Sequence, residues 1–151
     1  MTGWIVLGTA LAASVVLGMW YQRRNGRFRE PVSDEAPAAD VLTVDQIGHA
    51  LGEKATLVQF SSAFCAPCRA TRTLLTDVAS RLDGVEAVEV DAESHLDLIR
   101  HLDIMRTPTT FVLDARGAVV TRASGLPKRD QVLKVLAAIP GISLPSVQNA
   151  E

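Results

Sequence analysis

The stretch Ala55–Ser61, ATLVQFS, narrows the folds open to this chain more than any other segment. It is mostly apolar, of strand length, and lacks the strict alternation of a half-solvated strand. That pattern predicts a strand buried on both faces. Such a strand needs a layer of helices on each side of its sheet, and the flanking sequence supplies candidates. A short extended piece at 41–43 precedes an amphipathic stretch at 44–51. After the buried strand, residues 65–82 carry Leu74, Leu75, Val78 and Leu82 at helical spacing and end at Asp83-Gly84. Residues 85–90 read as a strand, and 94–102 as a helix with Leu96, Ile99 and Leu102 on one side. Strands at 109–113 and 118–123 are joined by Asp114-Ala115-Arg116-Gly117, a hairpin turn with its glycine late in the loop. A helix at 130–139 closes the unit. The order β-α-β-α-β-α-β-β-α predicts an α/β fold, a mixed central sheet flanked by helices. There are no internal repeats.

Mean hydropathy is +0.19, high for a soluble chain, and much of the excess lies near the N-terminus. Trp4 to Tyr21 is an 18-residue run without a charged side chain. As a helix it would be roughly 27 Å long, close to the hydrocarbon thickness of a bilayer. Trp4 at one end and Trp20 with Tyr21 at the other sit like interfacial anchors. Residues 1–21 are therefore expected to form an uncleaved transmembrane anchor, since the positive n-region of a signal peptide is missing. Arg23, Arg24, Arg27 and Arg29 follow the run, which places the C-terminal domain in the cytoplasm by the positive-inside bias. The expected localisation is the cell membrane, single-pass, with the lipid bilayer as a partner. Residues 22–40, carrying Gly26, Pro31 and Pro37, read as a flexible linker of roughly 25 Å root-mean-square span. One domain follows at 41–141, and 142–151 is expected to be a disordered tail.

A net charge of −2, from 15 basic and 17 acidic residues, provides no field to hold nucleic acid, and none is expected as a partner. Two cysteines are too few for a disulfide scaffold or a four-thiolate zinc site. Both fall in Cys65-Ala66-Pro67-Cys68, after the buried strand and at the start of a helix. A helix N-terminus offers unpaired N–H groups and a positive dipole end, which stabilise a thiolate at the first cysteine. The spacing lets the second sulfur reach the first. Pro67 suits the first helical turn, where a missing N–H costs little. Half a zinc site is the competing reading, but it needs two more ligands, and His49, His95 and His101 show no ligand spacing. An inert thiol pair is the other; only the strand-to-helix setting argues for reactivity. Arg106-Thr107-Pro108-Thr109 stands just before the strand TFVLD. A proline there must occupy the strand's first residues or a special bend, and its X-Pro bond is a candidate for cis geometry.

FSSAFCAPCR followed by a helix, RTPTTFVLDARG about 40 residues later, and Gly125 before the last helix together resemble the thioredoxin family over roughly residues 41–140. The resemblance implies a thioredoxin-like fold and a protein-disulfide reductase. In that reading Cys65 is the attacking thiolate, Cys68 the resolving thiol, and the two close as a disulfide. Pro108 is then the cis-proline beside them, Arg69 the basic residue after the motif, and the backbone of Thr107 pairs with an extended substrate segment. No cofactor or metal is implied: the dithiol is the redox group. Its electrons come from an external reductase, either thioredoxin reductase or a membrane electron carrier, and its substrates are protein disulfides.

The chain departs from the family pattern at several positions. Ser61 and Phe64 stand where tryptophans are usual, and Thr73 replaces a helix-kinking proline. Gln59 replaces the buried acid that helps deprotonate the second cysteine, and Ala87 replaces that acid's lysine. An amide cannot accept the proton, so that role is vacant, or water, Glu86 or Glu89 meets it. Thr107 brings a hydroxyl that can bond a sulfur. Ala66-Pro67 places no cation between the cysteines, which favours a reductant over an oxidant. An outward-facing reductase of the cytochrome-maturation type and a redox sensor or adaptor without turnover are the alternatives.

Overall fold

A computed structural model describes residues 2–24, 28 and 40–144. Ala55–Ser61 forms β1, and all seven residues are buried. It lies inside a four-stranded sheet of order β2-β1-β3-β4, with β2 at Val85–Asp91, β3 at Thr109–Asp114 and β4 at Val119–Ser124. β1 runs parallel to β2 and antiparallel to β3, and β3 and β4 form an antiparallel hairpin. The hairpin turn uses Gly117 at φ 84, where a Cβ would come within 2.3 Å of the Leu42 carbonyl oxygen. The Asp114 carboxylate accepts from the Arg116 and Ala118 N–H groups and so fixes the turn.

Because strand side chains alternate, β1 feeds two cores. Val58 and Phe60 join Leu42, Ile47, Val88, Leu102 and Phe111 on the face covered by α2 (Val44–Ile47) and α4 (Leu96–His101). Ala55 and Leu57 join Leu75, Val78, Val112, Val132 and Leu136 on the face covered by α3 (Ala66–Ala79) and α5 (Arg129–Ala137). In α3 the buried positions Cys68, Thr71, Leu75 and Val78 recur every three or four residues, the stripe that lays a helix on a sheet. The Arg129 guanidinium pairs with the Asp77 carboxylate and links α5 to α3.

Two expected elements depart most from the sequence pattern. Residues 41–43 make no strand: Val41 forms one isolated bridge to Ala118, held by Leu42 N–H to the Gly117 carbonyl and by Val119 N–H to the Asp40 carbonyl, both at 2.9 Å. The 44–51 helix stops at Ile47 because Gly48, at φ 70, turns left-handed and returns its N–H to the Val44 carbonyl.

The N-terminal run forms a helix, α1 (Thr2–Arg24), with Ile5, Val6, Leu11 and Leu17 each at least 60% exposed. Among the described residues no helix is long and apolar enough to cross a membrane; the side chain of Trp4, which opens the uncharged run, lies outside them. The expected linker lies outside the described residues except for Arg23 and Arg24, placed in α1, Phe28, which bridges Ala123, and Asp40; Gln22 too falls within that helix. Most of the expected tail lies outside as well.

Candidate active site

The strand directions gather the site at one end of the sheet. The C-terminal ends of β1, β2 and β4 and the N-terminal start of β3 all reach the same end of the sheet, given their parallel and antiparallel pairings. Cys65 follows β1, has extended backbone angles (φ −99, ψ 96) and caps α3. Its Sγ accepts from the Cys68 N–H at 3.2 Å, and the two cysteines form a disulfide with Cα atoms 5.2 Å apart. Pro67 lies in the first turn of α3, where no intrahelical N–H is lost. Cys65 is half-buried and Cys68 is 2% exposed. The two sulfurs therefore differ in access to a partner.

Thr107-Pro108 is a cis peptide at the start of β3, and the Pro108 carbonyl accepts from Gly125 N–H at 2.7 Å. That bond ties the β4–α5 turn to the cis-proline. The Thr107 hydroxyl bonds Ser62 Oγ at 3.0 Å, across the site, so its recorded partner is oxygen rather than sulfur. Phe64 is fully exposed beside Cys65, and Arg69 is exposed one residue after Cys68. Gln59 is 1% exposed, and its Nε2 donates to the Cys68 carbonyl at 2.9 Å. Its Oε1 is buried with no hydrogen-bond partner, and so is Oγ1 of Thr110, its register neighbour on β3.

The carboxylates proposed to stand in for the buried acid separate cleanly. Glu86 is exposed, and its position on β2 has the parity of Val88 and Val90, whose side chains join the opposite core. Glu89 has the parity of Val85, which packs on the α3 face, and it sits beside Gln59 in register. Its carboxylate pairs with Arg72 Nε at 2.9 Å. Cys65, Cys68, Arg69, Arg72 and Glu89 line one polar cleft of about 370 Å³. Asp91 and Glu93 line it as well. The Ser94 hydroxyl, and then the Glu93 N–H, hold the Asp91 carboxyl below its usual range. Among the described residues no group of three or more His, Cys, Asp or Glu is placed to share a metal ion.

Ser62, Arg72 and Thr110 are site residues that sequence reasoning missed. Arg72 carries a readable signal, since it falls one helical turn after Cys68. Ser62 and Thr110 do not, because which residues they face depends on how β1 and β3 lie side by side.

A thioredoxin family model matches residues 41–138. Thioredoxin H2 of Arabidopsis thaliana is 30% identical over 82 residues, covering 54% of this chain and 61% of that protein, so the chain spans less than two thirds of its length. Thioredoxin of Gallus gallus is 30% identical over 79 residues, covering 52% of this chain and 74% of that protein. Among solved structures, thioredoxin f from spinach chloroplast superposes with a TM-score of 0.53 at 22% identity, covering 68% of this chain and 88% of that one. A mutant thioredoxin from Halobacterium salinarum NRC-1 gives 0.54 at 17% identity, covering 62% and 80%. The structural likenesses speak for the fold alone. With the family match extending over most of the chain and a Cys65–Cys68 disulfide at the head of α3, this protein belongs to the thioredoxin family.

Proposed function

We infer that this protein is a thiol–disulfide oxidoreductase that reduces disulfides of other proteins while held at a membrane by its N-terminal helix. The observation that carries the redox half is the inequality of the two sulfurs. Cys65 is half-buried at the N-cap of α3, with a backbone N–H directed at its Sγ, and Cys68 is almost fully enclosed. In the dithiol state the N–H and the helix dipole favour a thiolate at Cys65. That thiolate attacks one sulfur of a substrate disulfide, forming a Cys65–substrate bond and expelling the other substrate sulfur as a thiolate. Cys68, deprotonated, then attacks Cys65 Sγ. The mixed bond breaks, the second substrate sulfur leaves with the electron pair and takes up a proton, and the Cys65–Cys68 disulfide remains.

Two electrons have passed to the substrate, so an external reductase must restore the dithiol. Thioredoxin reductase or a membrane electron carrier fits that role, and no further cofactor or metal is required. The Thr107 backbone, at the mouth of β3 beside the buried Pro108, suits pairing with an extended substrate segment. Phe64 at 101% exposure and Met105 at 86% add apolar surface for such a segment.

Tethering is supported by the 18 uncharged residues from Trp4 to Tyr21, by the exposed apolar side chains of α1, and by the arginines that follow it. Those arginines favour a cytoplasmic domain.

The test uses the full chain with Cys68→Ala, expressed in cells and trapped with acid. Several proteins are expected on Cys65 through bonds that dithiothreitol breaks. A single trapped partner would indicate an adaptor, and none would overturn the reductase reading. Labelling of Cys65 by a membrane-impermeant maleimide in intact, reduced cells is expected to fail, whereas labelling after lysis succeeds. Labelling before lysis would place the domain outside.

A further inference from the structure

We propose that Glu89 is the proton acceptor that frees the Cys68 thiol for the resolving step. The proposal rests on the dithiol–disulfide cycle set out above and supplies the base that the cycle lacks. Cys68 must lose a proton while Cys65 is bonded to substrate, and the polar side chain beneath it, Gln59, cannot take one. Gln59 commits its Nε2 to the Cys68 carbonyl and leaves Oε1 unpartnered in the interior. It shapes the floor of the site without receiving the proton.

Glu89 occupies the adjoining position on β2, in register with Gln59 and on the same face of the sheet. It lines the same cleft as Cys65 and Cys68. At 29% side-chain exposure its carboxylate is neither sealed off nor lost to bulk solvent. The cleft, at about 370 Å³, has room for water to carry a proton between thiol and carboxylate. Arg72 Nε, 2.9 Å from Glu89, is its ion-pair partner on α3. The other charged groups facing this space are Arg69 on α3 and Asp91 and Glu93 at the end of β2. Asp91 is occupied by Ser94 and by the Glu93 N–H. β1 contributes only neutral groups, Gln59 and Ser61.

The Cys68 thiol gives its proton through water to Glu89, and the resulting thiolate attacks Cys65 Sγ. The Cys65–Cys68 bond forms as the Cys65–substrate bond breaks. The departing substrate thiolate takes a proton back from Glu89, which returns to its carboxylate form. Glu89 thus serves as base and then as acid within one exchange.

The reaction of the reduced full chain with 5,5′-dithiobis(2-nitrobenzoate) separates the two halves of the cycle. A first thionitrobenzoate is released when Cys65 attacks and a second when Cys68 resolves the mixed disulfide. Glu89→Gln is expected to leave the first release within about twofold of wild type and to slow the second about 100-fold at neutral pH, the scale of a lost general base. The second release should then rise with pH as solvent takes over deprotonation. Glu89→Asp should recover much of its rate. Arg72→Gln removes the ion pair but keeps the carboxylate, so it should retain a fast second release. A second release unchanged by Glu89→Gln would overturn the proposal, and so would equal losses in Glu89→Gln and Arg72→Gln, which would make the role structural. The absence of any first release in wild type would instead defeat the cycle on which the proposal rests.

Discussion

Replacing Gln59 by glutamate changes one atom's identity and little of its shape, which makes it a sharp probe of the environment beneath the disulfide. Gln59 is 1% exposed, donates to the Cys68 carbonyl at 2.9 Å, and has a second terminal atom without a partner. A neutral carboxyl can keep the bond, with its O–H donating to Cys68. An ionised one cannot, and it would set a negative oxygen against that carbonyl in a dry interior. Enclosure of this degree raises a carboxyl pKa by about 3–4 units, from about 4.3 to about 7.3–8.3. Glu89, adjacent on β2, pushes the same way, while Arg72 is already shared with Glu89. With the folded value raised, the native state binds more protons than the unfolded chain between the two pKa values, so stability falls as pH rises through that window. At about 1.36 kcal/mol per unit, the variant should lose about 4–5 kcal/mol between pH 4 and pH 8 relative to wild type. That is a large part of a typical domain's 5–15 kcal/mol. Urea unfolding of both proteins at the two pH values measures the difference, and the comparison cancels titrations they share. A gap that stays flat across this range would refute the reasoning, because it would mean that water reaches position 59.

Other perturbations test separate parts of the fold. Phe60→Ala removes a fully buried ring packed edge-on against Phe111, with centroids 5.5 Å apart, and should cost about 3–5 kcal/mol in urea unfolding. A cost below about 1 kcal/mol would mean that the α2 and α4 side of the core does not depend on this contact. Asp91 has a carboxyl pKa held below its ordinary 3.8 by the Ser94 hydroxyl and the Glu93 N–H. Its contribution is therefore present above the unfolded value and is lost as pH falls through the folded one. Asp91→Asn should lower stability at pH 7 and make the acid limb of the stability–pH curve shallower. Parallel curves for variant and wild type would show that the Asp91–Ser94 turn does not favour the charged form.

Much of the architecture is readable because it rests on local signals. The apolar run at 55–61, the spacing of Leu75 and Val78, and Gly117 in the hairpin each report a structure that neighbouring residues alone decide. The element ends are less legible, since a cap or a bridge can override the apolar pattern. Leu51 continues the apolar spacing beyond α2, yet Gly48 has already turned the chain left-handed. Val41 and Leu42 have strand composition, but the isolated bridge to Ala118 makes them a strap across the hairpin. The membrane-directed reading of the N-terminus rests on apolar composition and on a solvent other than water, which no contact within the fold reports.

The site shows the same division at finer scale. Cys65, Cys68, Thr107 and Pro108 are legible because motif and order place them, but the proton pathway is not, because it depends on which face of a neighbouring strand a residue occupies. Glu86 and Glu89 are equally acidic and only three positions apart. An odd separation along a strand puts two side chains on opposite faces, so at most one of this pair can stand over Gln59. The register of β1 against β2 decides for Glu89, since residues paired across parallel strands share a face. A slip of one residue would exchange the two. It would also send Val88 and Val90 out of the core they share with Phe60 and Phe111, and bring the carboxylates of Glu86 and Glu89 to the wrong sides. The hydrophobic demand of the core therefore enforces the register, and the register selects the carboxylate that shares a cleft with Cys68.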